Sequence, residues 1–158
     1  MNLELPFVDD LEARLRALVF TYTDGGTDRF TEVGLGKVPA GMGYPCAAIV
    51  PLGPNFPVEV LGIQGLERRG KHVGVLIEVH YEHPDQRQGM RNMSDLLWQV
   101  MDALTDPAQP SFGGCERFVL GETDYAYVMA DEDDNLQADW GFKSVAAIPV
   151  AGVWRYRN

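Results

Sequence analysis

The run Val73-Gly74-Val75-Leu76-Ile77-Glu78-Val79-His80-Tyr81-Glu82 decides the fold class. Val73, Val75, Ile77, Val79 and Tyr81 recur at every second position, with Glu78, His80 and Glu82 between or beyond them. Successive side chains of a strand point to opposite faces, so this period of two predicts a strand with one core face and one face partly in water. His83-Pro84-Asp85 breaks the run, and the period then changes. Over residues 87–105, Met90, Met93, Leu97, Val100, Met101 and Leu104 gather on one side of a helix, with Arg91, Asp95, Gln99 and Asp102 largely on the other. A half-apolar strand followed by an amphipathic helix predicts a helix lying across a sheet.

Downstream, Pro107, Pro110, Gly113 and Gly114 predict a loop. Residues 117–120 and 123–130 read as strand with a bulge at Gly121-Glu122, and Asp131-Glu132-Asp133-Asp134-Asn135 as a turn. Residues 142–156 form a long closing strand, bent where Pro149 removes a ladder donor. Upstream, a helix is predicted from Asp9 or Asp10 to about Tyr22, with Asp9 and Glu12 at capping-box spacing and Leu11, Leu15 and Leu18 on one stripe. Asp24-Gly25-Gly26 is read as its stop. Shorter strands are predicted over residues 30–35, 46–52 and 58–64. The second follows Tyr44-Pro45, and Pro51 marks it as an edge strand or one that ends early. The expected architecture is α+β, an antiparallel or mixed sheet packed by two main helices, in a single domain covering residues 1–158.

The bulk properties agree. A chain of 158 residues with 46% hydrophobic and 23% charged residues has the composition of a soluble domain able to bury one core. The longest apolar run, residues 145–154, contains Pro149 and Gly152 and falls well short of the roughly 20 residues that span a bilayer. The N-terminal residues lack a basic start followed by an apolar stretch, so a cytosolic location is the default expectation. Cys46 and Cys115 are too few for a disulfide framework or a thiolate zinc site and are expected as free, buried or half-buried thiols. The formal charge is −10, and it is regional: seven of the 23 acidic residues lie in residues 122–139 with no base among them, leaving 16 acids against 13 bases elsewhere. Such a surface repels phosphate backbones, because nucleic-acid affinity depends on Lys and Arg displacing counterions. It is compatible with a protein that lets DNA pass without gripping it.

No constellation in the sequence specifies chemistry. Asp131, Asp133 and Asn135 begin like an EF-hand loop, but Leu136 stands where glycine is required and Phe142 where a bidentate glutamate closes the cage. Glu78, His80 and Glu82 share a strand face without the spacing of a metal motif, and His83 points elsewhere ahead of Pro84. Ser94, Ser111 and Ser144 lack a Gly-x-Ser-x-Gly setting, and Gly34-Leu35-Gly36 lacks the third glycine of a dinucleotide fingerprint. The expectation is a non-enzyme with no catalytic, cofactor or metal residues. The methionines at 90, 93 and 101 are read as core filling.

The N-terminal amphipathic helix, the strand after Tyr44-Pro45, the strand at 73–81, the helix at 90–104 and the tyrosine-bearing strand returning into 145–156 follow one another in a definite order. In length, element order and hydrophobic texture, most of the chain resembles the tail terminator (tail completion, or minor tail) proteins of long-tailed bacteriophages. The resemblance implies a hexameric ring that caps the tail tube, stops its polymerisation and meets the head-tail connector protein. It implies location in the virion tail or neck, with assembly in the host cytoplasm, and no catalytic residues, cofactor or membrane.

DNA would pass through the lumen of such a ring, so Asp131, Glu132, Asp133 and Asp134 are candidates for its lining or rim. The loops at 53–72 and 107–116 become candidate contacts with other subunits or the tube. Phe56, Arg68, Arg69, Phe112 and Trp140 are the candidate interface residues. Two alternatives stand beside this expectation: another head-tail neck protein, and a small ligand-binding or metal-using α+β enzyme working from the Glu78, His80 and Glu82 face.

Overall fold

In the computed structural model of the chain, residues 2–36, 43–54, 70–108, 112–127 and 141–155 are described. Among them are two helices, α1 (Glu4–Ala17) and α2 (Gln86–Leu104), and eight strands. The strands are β1 (Val19–Thr21), β2 (Thr27–Arg29), β3 (Val33–Leu35), β4 (Cys46–Pro54), β5 (Gly70–His83), β6 (Arg117–Leu120), β7 (Asp124–Tyr127) and β8 (Phe142–Arg155). β5 and β8 pair antiparallel along their whole length, from Gly70 opposite Arg155 to His83 opposite Phe142. β4 flanks β5, β3 runs parallel to β4, and β6 and β7 both pair with β8, giving a mixed sheet of order β3-β4-β5-β8-β6. β1 and β2 form a separate antiparallel hairpin. The fold is α+β, as the change of period after residue 82 predicts.

Both helices pack on one face of the sheet, the face marked by the odd-numbered positions of β5. Val75, Ile77 and Val79 have no exposed surface, and Tyr81 is buried. Register brings Ala47 and Ile49 of β4 and Ala146 and Ile148 of β8 beside them. Leu11 and Leu15 of α1 and Met93, Leu96, Leu97, Val100 and Leu104 of α2 close this core. Residues 58–64, expected as a strand, lie outside the described residues.

α1 differs from expectation at both ends. It starts at Glu4 rather than Asp9, because Asn2 Oδ1 accepts hydrogen bonds from the free backbone N–H groups of Glu4 and Leu5. Pro6 sits in the first turn, where no N–H is needed, and Phe7 and Val8 then face the core. Asp9 and Asp10 are therefore inside the helix, and the capping box is not formed. The helix stops at Ala17 rather than Tyr22. Leu18 is already extended, with ψ 129°, and Val19-Phe20-Thr21-Tyr22-Thr23 is a β-branched and aromatic run that fits a strand better than a helix. Asp24-Gly25-Gly26 consequently turns the β1–β2 hairpin, with Gly25 at φ +89° and Asp24 Oδ1 accepting from the N–H of Gly26. The strand expected over 30–35 is limited to Val33–Leu35.

The proline in β4 does not end the strand. β4 continues to Pro54 through a register shift after Pro51, beyond the last residue that β3 covers. The bulge expected at Gly121-Glu122 is present: Leu120 pairs with Val150 and Asp124 with Ala147, so four steps on one strand oppose three on the other.

On α2 the buried line runs through Gly89, Asn92, Met93, Leu96, Leu97, Val100 and Leu104, while Met90 is 45% exposed. Met90 is thus turned outward from the core expected for it. Gly89 marks the reason. A Cβ built there would lie 2.4 Å from Cβ of Phe142, so α2 meets β8 at a point that only glycine fits, and this contact fixes the rotation of the helix. Asp85 caps the helix by accepting from the N–H of Gln88 at 2.7 Å.

Gly89→Ala supplies a sign test of this packing. At an ordinary helical site the change stabilises by about 0.5–1 kcal/mol. Here the expected result is a loss of about 1–3 kcal/mol from overpacking, read by urea unfolding. The exposed Ser94→Ala serves as the control, expected to lie within about 0.5 kcal/mol of wild type.

Candidate functional site

The outward surfaces are set by what the inner ones use up. α2 grips the β1–β2 hairpin with polar side chains from its flank. Gln99 Oε1 accepts from the N–H of Thr21 at 2.8 Å and its Nε2 donates to the carbonyl of Thr21 at 2.9 Å, so one carboxamide acts as a neighbouring peptide group. Asp95 Oδ2 accepts from both the N–H and the hydroxyl of Thr23. Phe20 anchors the hairpin from within, edge-on to Phe30 at 4.7 Å.

A polar chain crosses the core at the end of the sheet next to the start of α2. Gln88 Nε2 donates to Asn92 Oδ1 at 2.8 Å, Asn92 Nδ2 donates to the Tyr81 hydroxyl at 2.9 Å, and the Tyr22 hydroxyl donates to Asp28 Oδ2 at 3.2 Å. Burial first, then the charge of Asp28 and the neighbouring Tyr81, hold the Tyr22 phenol protonated far above its ordinary range. Burial likewise raises Tyr81. Asn92 is 4% exposed, and its pairing satisfies a polar side chain that would otherwise be costly to bury. These residues join α2, β5 and the hairpin, which is a structural use of tyrosine.

The far face of the sheet carries no helix among the described residues. Alternation and register place Cys46, Ala48, Val50, Leu76, Val145 and Ala147 there, together with Glu78 and His80. His80 Nε2 lies 3.4 Å from Glu78 Oε2, and Lys143 stands opposite Glu82 in the ladder. Among the described residues no group of three or more His, Cys, Asp or Glu is placed to hold a metal ion. His72 is on the same face, and its buried Nδ1 has no hydrogen-bond partner among the described residues. Both cysteines are free and buried, and burial raises their thiols, which makes them poor nucleophiles.

The structure places Phe112 differently from its expected role as an exposed interface residue. It has no exposed surface; its ring lies 4.5 Å from Phe118 and 6.1 Å from Phe7, with the Arg14 guanidinium 4.0 Å over it. The cause is a tether: Asp10 accepts from the N–H of Gly113 and draws the loop onto α1, turning Phe112 inward. A fully covered ring offers nothing to a partner. Phe56, Arg68, Arg69, Asp131, Glu132, Asp133, Asp134 and Trp140 lie outside the described residues. Phe142, the last position of the EF-hand comparison, is a buried β8 residue.

The sequence reading missed the outer side of α2. Trp98 is 65% exposed, the most exposed of the large apolar side chains described, and Arg87, Arg91, Ser94 and Asp102 are exposed with it. The signal was the buried line through 89, 93, 96, 97, 100 and 104, which leaves 98 on the opposite side of the wheel. Elsewhere Leu5 and Leu35 are exposed on α1 and β3. β3 is one end of the sheet order, and its Val33 carbonyl is covered by Arg16, which donates at 2.8 Å and pairs with Glu12 and Glu32. β6 and β7 form the opposite edge. A groove of about 450 Å³ between the helices is lined by Asp10, Arg14 and Asp106 with Ala13, Ala17 and Ala103. Its one cation is already spent, because Arg14 donates to the Ala103 carbonyl and covers Phe112.

The protonated phenols give a pH prediction. The folded chain keeps protons that unfolded tyrosines release near pH 10, so this stability is complete below about pH 10 and is lost as pH rises beyond it. Urea unfolding is expected to show a smaller free energy at about pH 11 than at about pH 8, with the difference reduced in Tyr22→Phe. An equal pH difference in that variant would remove Tyr22 as the source.

No helix among the described residues is long and apolar enough to cross a membrane. No protein-family model and no curated protein matches the chain.

Proposed function

We propose that the chain is a self-assembling structural protein of a virion, a tail terminator whose ring caps the tail tube and meets the head-tail connector protein. In this reading it is not an enzyme, it needs no cofactor, and DNA passes through its lumen. It acts in the tail or neck of the particle after assembly in the host cytoplasm. The observation that carries the reading is the open β6–β7 edge of the sheet. Among the described residues no strand lies beyond β6 and β7, while β3 at the other end of the sheet has its Val33 carbonyl taken by Arg16. Unpaired strand edges are what a chain uses to pair with copies of itself.

The element order supports the terminator role in particular, through its resemblance to that family. In a hexameric ring, those acidic side chains of residues 122–139 that no neighbouring subunit engages face the lumen or rim, where repulsion of phosphate keeps DNA moving.

The expected outcome in sedimentation velocity is a closed oligomer of uniform mass, and in negative-stain images a ring with a central hole. Added to growing tail tubes, it is expected to stop their elongation. A ring that binds the isolated connector and leaves tubes unaffected would assign it to another neck role. A monomer at every concentration tested would sink the assembly reading, and stoichiometric binding of a metal ion by that monomer would favour the Glu78 and His80 face as a ligand site.

A further inference from the structure

Building on self-assembly as the function, we propose that the outward ridge of α2 receives a second copy of the chain, and that the acidic run at residues 131–139 is what the second copy brings to it. Arg87, Arg91, Ser94, Trp98 and Asp102 follow one another at steps of three or four, so they form one line down the helix, and all are exposed. Met90 lies beside the line, 45% exposed. A solvent-facing helix ridge is ordinarily polar throughout, whereas this one has an indole at its middle, 65% exposed. Trp and Arg are the residue types that dominate the centres of protein interfaces.

Charge selects the occupant. Arg87 and Arg91 form no ion pair among the described residues, in contrast to Arg16, which pairs with Glu12 and Glu32. Both lie in the first half of α2, whose N-terminal end adds partial positive charge. The chain contains one stretch of opposite character: residues 131–139 hold Asp131, Glu132, Asp133, Asp134 and Asp139 with no base, together with Leu136, and Trp140 follows. Carboxylates fit the two arginines, and the apolar residues fit Trp98 and Met90. Among the described residues neither arginine has a carboxylate partner, and in this proposal that partner comes from another copy.

The test is sedimentation velocity on the full chain in four forms: wild type, Arg87→Glu with Arg91→Glu, a set with Asp131, Glu132, Asp133 and Asp134 each changed to Lys, and the two sets combined. Each single set is expected to raise the dissociation constant for self-association at least about tenfold, and the combination to bring it back toward wild type. Trp98→Ala is expected to weaken association with no change in thermal unfolding, since the side chain is exposed. Raising the salt concentration should weaken wild type and affect the combined form alike.

If oligomers form and Arg87→Glu with Arg91→Glu leaves them unchanged, the α2 ridge is refuted while the assembly reading stands. The same holds if the combined set is weaker than either alone. If the wild type never associates, both fall. Binding of short duplex DNA that is lost in Arg87→Glu with Arg91→Glu, with self-association unaffected, would overturn the proposal in favour of a nucleic-acid contact.

Discussion

The pairing of β5 with β8 is the constraint on which the rest of the structure depends. Fourteen residues of each strand lie in one uninterrupted antiparallel register. A slip of one position would turn either Val75, Ile77 and Val79 of β5 or Ala146 and Ile148 of β8 from the core to the far face. That register is held by burial under the helices on one face, and on the other Cys46, Ala48 and Ala151 are buried as well. It also determines where β4, β6 and β7 can add, since each pairs with one of these two strands.

The helices are placed by close contacts and by polar ties, in that order. Gly89 lets α2 approach Phe142, and Gly152 lets the Phe7 ring of α1 lie where a Cβ would be 2.7 Å from it. Around Phe7 the rings of Phe112, Phe118 and Trp154 stand at about 6 Å, so the start of α1, the loop before β6 and the end of β8 share one aromatic corner. The polar ties then fix direction. Gln99 and Asp95 hold the β1–β2 hairpin, Asn92 holds Tyr81, and Asp10 holds the loop at Gly113. Each is a side chain satisfying a group that packing alone would leave unpaired.

What remains outward is consistent with a protein that works by fitting against others. One sheet edge is covered by Arg16, and the other is built from β6 and β7. On the far face Glu78 and His80 meet among buried and half-buried small apolar residues, and α2 presents Trp98 between Asp102 and two arginines that form no ion pair among the described residues. The two sides of α2 divide the work: one side is spent on the core and the hairpin, while the exposed ridge has no such duty. A tail terminator is the function proposed for this division. It rests on fold, charge and surface.

The sequence by itself determined the α+β class, the strand at 73–82, the bulge near Gly121, the long closing strand and the two free thiols. These follow from periodicity and from residues with fixed backbone habits, which act locally. It did not determine the limits of α1. There Asn2, two residues outside the helix, supplies the cap, and the strand preference of residues 19–23 overrides the leucine stripe that continues to Leu18. Only the tertiary structure decided which face of α2 is buried, because the contact of Gly89 with Phe142 joins positions 53 residues apart. The same is true of Phe112, whose loop composition suggested exposure until the tether from Asp10 turned it inward. Local rules see period and propensity; they do not see which distant group arrives to satisfy a donor or fill a gap, and those arrivals placed the surface residues on which function rests.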